Sequence, residues 1–179
     1  MVVANVPVSA GNVSVLVPAT AGVSNKISPE VSPLNFIPDI IISGGGGTTI
    51  DIAKFFLAGF QASKEMDFIE LDSFLLWVKE NSEFKNQISH YAIVTKPGSG
   101  AESSKAMIIN NQQNKFVLAK DYFLPNSIFY YENVFKFLPD NEKLFGLTDS
   151  LAHAWESYGS PIKNNFVNCL LRLLELYLQ

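Results

Sequence analysis

The segment from Asp39 to Phe60, DIIISGGGGTTIDIAKFFLAGF, joins an apolar β-branched run to a helical pattern through four consecutive glycines. An apolar run that stops on glycine and resumes with helical spacing predicts strand, tight turn and helix, with Ile50, Ala53, Phe56 or Leu57, and Phe60 on the helix's inner side. Such a junction belongs in an α/β fold, where ligands sit beyond the carboxyl ends of the strands. Glycines at that point bare backbone N–H groups at the positive end of the helix dipole, a ready site for a phosphate. Thr48 and Thr49 add hydroxyl donors in the first turn, whereas Asp51 there complements the dipole without any ligand. The segment spells neither a P-loop nor the G-x-G-x-x-G fingerprint.

The rest of the chain continues the pattern. FIPDIIIS predicts a short buried strand, LDSFLLWVKENSE a helix capped by Asp72 or Ser73, and HYAIVTK a second buried strand. A second glycine turn follows in VTKPGSGAESSKAMI, where Thr95, Ser99, Ser103 and Ser104 are placed to hydrogen-bond a sugar or phosphate. KAMIINNQQNKFVLAK then reads as two short strands about a polar turn, and NSIFYY as one more. From Glu142 onward KLFGLTDSLAHAWESYG and NNFVNCLLRLLELYLQ are helical patterns, so an α/β region hands over to a helical one near Pro139. At the start of the chain, NVSVLV suits a strand.

Composition narrows the function. A net charge of −4 without any Lys/Arg cluster lacks the electrostatic footprint of phosphate-backbone binding, which argues against nucleic acid as partner. Every apolar run of the first 26 residues is interrupted well short of a membrane span, and the positive start and compact apolar centre of a signal peptide are missing. The single cysteine, Cys169, sits in an apolar run as a buried inert thiol, and its solitude points to a reducing, cytoplasmic setting. His90, ahead of YAIVTK, reads as a solvated strand-edge residue.

The order of motifs resembles a known family. GGGTTIDIAK (Gly45 to Lys54) is similar to the G-G-G-S-x-x-D-x-A-K signature of the iron-containing, or group III metal-dependent, alcohol dehydrogenases. TKPGSGAES (Thr95 to Ser103) resembles that family's T-T-x-G-T-G-S-E segment, and DSLAHAWESYGS (Asp149 to Ser160) its D-A-L-x-H-A-x-E-x-Y-x-S helix. The likeness runs unbroken from about residue 36 to residue 179. It implies an α/β fold with a Rossmann-like nucleotide-binding domain followed by the start of an all-helical domain, the dehydroquinate synthase-like architecture. The corresponding division is an uncertain segment 1–35, a dinucleotide-binding domain 36–140 and an incomplete helical metal-binding domain 141–179.

Carried over by residue, the resemblance implies that Gly45, Gly46, Gly47 and Thr48 face the pyrophosphate of NAD or NADP, with Thr49 and Asp51 beside them. Thr95, Lys96 and Ser99 line the cofactor, and Lys115 matches a cofactor-side lysine; Lys96 stands where the family usually has Thr. Asp149 and His153 match the first two ligands of a divalent metal, and a spacing of four places both on one helix face with donor atoms suited to Fe²⁺ or Zn²⁺. The family completes its site with two further histidines, but this chain has two in all, His90 and His153.

The expected activity is a metal-dependent, NAD(P)-linked alcohol dehydrogenase or aldehyde reductase, or a fragment of one, acting on a small alcohol or aldehyde as a homo-oligomer without membrane attachment. No general base is identifiable. The alternative is a non-catalytic remnant that retains nucleotide binding or acts in assembly. A lyase of the dehydroquinate-synthase type shares the glycine turn, but GSGAESSK matches its D-S-S-V-G-G-K stretch poorly.

Overall fold

The structure, a computed structural model, describes residues 4–8, 11–16, 38–62, 71–81, 88–110 and 115–161. Cys169 and the last helical pattern lie outside the described residues. In chain order the elements are β1 (Ala4–Val8), β2 (Gly11–Leu16), β3 (Ile40–Gly45), α1 (Gly47–Ala62), α2 (Leu71–Glu80), β4 (Ser89–Val94), β5 (Ala106–Asn110), β6 (Lys115–Ala119), β7 (Ser127–Tyr130), α3 (Glu132–Lys136) and α4 (Asp140–Gly159). The main sheet has the order β1-β2-β3-β4-β7. Its strands β2, β3, β4 and β7 are parallel, with β1 added antiparallel at the edge. Strands β5 and β6 form a separate antiparallel hairpin.

Helix α1 is the wall between these two layers. Ile50, Ala53 and Leu57 pack towards the sheet, where Ile41, Ile88, Ala92 and Val94 receive them. Phe55, Ala58 and Ala62 face the other way, onto Phe74, Leu75 and Val78 of α2 and Met107 and Ile109 of the hairpin. The rings of Phe55 and Phe74 meet edge to face at 4.9 Å between centroids. A helix buried on two sides must be apolar nearly all round, so the single inner stripe expected from the sequence is only part of its core. Phe56 and Phe60 are half-buried at the flank of that stripe, while Leu57 occupies its centre.

Two expectations change here. Strands β3 and β4 are not buried on both faces: their burial alternates, because α1 covers one side and leaves Ile93 37% exposed on the other. Helix α2 includes Leu71, so neither Asp72 nor Ser73 is its N-cap. The two short strands about a polar turn are the β5–β6 hairpin, and NSIFYY contains β7. Helix α4 begins directly after Pro139, preceded by a short α3 that carries no buried residue and no readable period.

Candidate functional site

The two glycine turns lie side by side, because β3 and β4 are neighbours and run parallel. The amide of Thr95 donates to the carbonyl of Gly45 at 3.0 Å, which locks one turn to the other. A Cβ on Gly47 would collide with the Ser99 side chain, and one on Gly45 with that of Thr49. A Cβ on Gly46 would stand 3.4 Å from the Cβ of Lys96. Gly46 and Gly47 therefore have an immediate internal cause: they let the turns close on each other, while Gly45 makes room for Thr49 of α1.

A cleft of about 240 Å³ opens at this junction, lined by Gly47, Thr48, Asp51, Ser99, Ser104 and Ile108 among others. At its head the amides of Thr49 and Ile50 both donate to Gly46 O, at 3.0 and 3.2 Å. The amides of Gly47 and Thr48, which precede any intrahelical acceptor, meet no backbone carbonyl outside the helix among the described residues. Thr48 is exposed beside them, while Thr49 is turned inward and buried. Of the two first-turn threonines it is thus Thr48 whose side chain lines the cleft.

Asp51, expected beside the pyrophosphate, is instead paired with Lys54 in a buried staple that the sequence reading did not foresee. Lys54 is fully buried, and its Nζ donates to the carbonyls of Ala101 (2.7 Å), Ser104 (3.1 Å) and Ala106 (2.6 Å). Its ammonium also lies 3.3 Å from Asp51 Oδ1, while Asp51 Oδ2 accepts from the amide of Ile108 at 3.1 Å. Burial pushes the Asp51 carboxyl up and the Lys54 ammonium down, and the attraction between them opposes both shifts. Together the pair fixes α1 to the second turn and to β5. The readable signal was an Asp and a Lys three residues apart on an otherwise apolar helix.

The second turn is held by its own contacts. Ala101 N donates to Ser99 Oγ at 3.3 Å, and buried Glu102 accepts from the Tyr130 hydroxyl at 2.9 Å. Burial is the first cause, and the Glu102 contact the second, of an upward shift in the Tyr130 hydroxyl. Lys96 forms an ion pair with Glu142 of α4. Lys115 is exposed on β6, in register with Asn110, another residue of the cleft wall. Gly45 to Thr48, Asp51, Thr95, Lys96 and Ser99 are therefore brought together, with Lys115 beside the cleft's far end.

The metal-ligand candidates stand apart. Asp149 and His153 are both exposed on α4, and neither lines the cleft. Among the described residues no group of three His, Cys, Asp or Glu side chains is placed to hold a metal ion. Two donors do not fix a metal, so these residues by themselves do not fit one. His90 cannot assist, and the expectation for it is corrected: it is fully buried in β4, not solvated. Its Nε2 lies 2.9 Å from Ser43 Oγ, its Nδ1 has no hydrogen-bond partner among the described residues, and its backbone amide donates to Asn126 Oδ1 at 2.7 Å. Burial, and secondarily the Lys54 charge, push its imidazole down to about 4, so it is neutral near pH 7. His90 shares the face of β4 with Ala92 and Val94, the face that α1 covers, and this makes it an interior residue.

Comparison with known proteins agrees with this arrangement. The family model of iron-containing alcohol dehydrogenase matches residues 34–131, which include both glycine turns. The chain is 26% identical over 154 residues to the bifunctional aldehyde-alcohol dehydrogenase AdhE of Escherichia coli, covering 80% of this chain and 17% of that protein. It is 26% identical over 129 residues to a probable NADH-dependent butanol dehydrogenase of Bacillus subtilis, covering 70% of this chain and 31% of that one. It thus spans less than a third of the length of either relative. In fold it is similar to sulfoacetaldehyde reductase of Bifidobacterium kashiwanohense, solved in complex with NAD⁺, with a TM-score of 0.56 at 18% identity over 68% of this chain and 31% of that chain. With a Rossmann-like α/β sheet, its paired glycine turns and a profile match over more than half its residues, the chain belongs to the iron-containing alcohol dehydrogenase family.

Proposed function

We propose that this chain is the nucleotide-binding part of an NAD(P)-linked, metal-dependent alcohol dehydrogenase or aldehyde reductase, together with the opening of its helical part. The observation that carries the reading is the pair of amides at Gly47 and Thr48, which meet no backbone carbonyl outside the helix among the described residues and line, with Ser99, a cleft at the positive end of α1. Support comes from family membership and from the NAD⁺ complex of the structurally similar sulfoacetaldehyde reductase. In this reading Gly46, Gly47 and Thr48 receive the diphosphate, Thr95 and Ser99 position the neighbouring sugar, and Lys115 approaches from the hairpin. The nicotinamide, when bound, supplies the hydride chemistry. Segment 36–140 is then the dinucleotide domain, and 141–179 begins the metal-bearing one. The setting is cytoplasmic and the partner a small alcohol or aldehyde, not nucleic acid.

Asp149 and His153 are assigned to the metal, Fe²⁺ or Zn²⁺, as two donors of a larger set. A second reading, to which the absence of a third such donor beside them among the described residues lends support, is a non-catalytic member that keeps nucleotide binding or serves in assembly.

Titration calorimetry with NADH, NADPH and ADP-ribose tests the nucleotide site. Binding is expected, weakened by Thr48→Val, and absence of heat with folded protein sinks both readings of the cleft. Oxidation of NADH by aldehydes in the presence of Fe²⁺ or Zn²⁺ separates enzyme from remnant. Sedimentation checks the homo-oligomer, for which the support is the apolar exposure along α4: Leu144, Leu147, Leu151, Trp155 and Tyr158 are each at least 41% exposed.

A further inference from the structure

Lys96 occupies the position where a threonine would match the family pattern, and its surroundings show what the longer side chain does. Its Cβ, Cγ and Cδ lie 3.4, 3.9 and 3.8 Å from where a Cβ of Gly46 would stand, so the lysine stem crosses the glycine turn. Its ammonium meets Glu142 in the first turn of α4, with the two side chains 37% and 32% exposed. Lys54, the other cation at this junction, is buried and committed to three carbonyls and Asp51. Lys96 has no such commitment among the described residues, where its ion-pair partner is a part-exposed carboxylate reached by a flexible point charge.

Glu142 also matters to the helix that carries it. One turn further along, Gly146 is the buried residue of α4, set against the Pro97 carbonyl and the backbone of Gly98. Glu142 and Gly146 share a helix face and both touch the second glycine turn. The docking of α4 thus runs through residues 96 to 98, and the ion pair is its charged half.

We propose that Lys96 is a shared cation, for which Glu142 and a diphosphate seated on the Gly47 and Thr48 amides compete. The inference rests on the nucleotide reading of the cleft. A diphosphate carries more charge than one carboxylate and approaches the same stem, so binding draws the ammonium across Gly46 and removes one of α4's anchors. Coupling is reciprocal: whatever loosens the ion pair tightens nucleotide binding, and whatever secures α4 weakens it. Nucleotide occupancy is in this way relayed to the helix that carries Asp149 and His153.

The test is calorimetry with ADP-ribose on the wild-type chain, Glu142→Gln, Lys96→Thr and the double variant, joined to hydrogen exchange of α4. Glu142→Gln is expected to tighten binding about two- to fivefold, the range for a part-exposed charge pair. Lys96→Thr weakens binding and abolishes the effect of Glu142→Gln. Adding ADP-ribose to the wild type accelerates exchange in α4, and adding it to Lys96→Thr does not; a purely structural lysine would give no such difference. Glu142→Ala serves as a second removal of the carboxylate. If the wild type binds ADP-ribose and neither Glu142 variant changes the affinity, the competition is overturned while the nucleotide site stands. If no variant binds, both are overturned.

Discussion

A lysine ammonium with three carbonyl acceptors and a carboxylate beside it, all out of water, is a commitment that one substitution exposes. Replacing Lys54 by Met keeps the stem but leaves Asp51 without its counter-charge and takes one donor from each of the carbonyls of Ala101, Ser104 and Ala106. Removing one partner of a buried pair typically costs about 3–5 kcal/mol. Lys54→Met is therefore expected to lose that much in urea unfolding, and a loss under about 1 kcal/mol would show that the staple is dispensable. A double change that also removes Asp51 should recover part of the loss. The motif that contains these residues was legible as a turn and helix start, yet its Asp and Lys pair with each other and bond the second turn and β5. Sequence spacing shows that the two can meet; it does not show that Ala101 and Ser104 return over them.

At the scale of elements, α4 is joined to the second glycine turn through residues 96 to 98. Gly98 has φ of +134°, a backbone state that side chains rarely adopt, and Gly146 lies against Pro97 with no room for a Cβ. Gly146→Ala is expected to lift α4 from the turn at an overpacking cost of about 1–3 kcal/mol. Its amides should exchange faster while those of α1 and β3 keep their protection. Unchanged protection in α4 would mean that the helix is held elsewhere. The strands, the hairpin and α1 were readable because their periods are long enough to register, whereas α3 spans only Glu132–Lys136. The strand β1 was missed because Pro7 interrupts its run. Both turns could be found in sequence, but the contact that makes them one site, Ser99 against Gly47, joins residues on different strand ends and depends on β3 and β4 being neighbours.

For the whole molecule, the buried imidazole of His90 sets an acid limit. In the unfolded chain it takes up a proton near its ordinary 6.5, while in the fold it does so only near 4, so between those values the unfolded state binds more protons. Its contribution to stability is complete above pH 6.5, falls as the pH drops through that window, and is lost below about 4, a change on the order of 3 kcal/mol. Thermal or urea unfolding between pH 7 and pH 4 measures it, and His90→Gln should flatten the profile. An equally steep profile in that variant would shift the cause to the carboxylates. None of this could be read from a histidine placed ahead of an apolar run, since its burial comes from the face of β4 that α1 covers, where it meets Ser43.

Helix α1 stands between the sheet and the hairpin layer, with its first turn at the mouth of the cleft. An anion that quiets this turn therefore grips the axle on which both layers are mounted. Its effect need not stay local, and the inner face of α2, which never meets the cleft, is where a bound nucleotide would be felt as slower breathing.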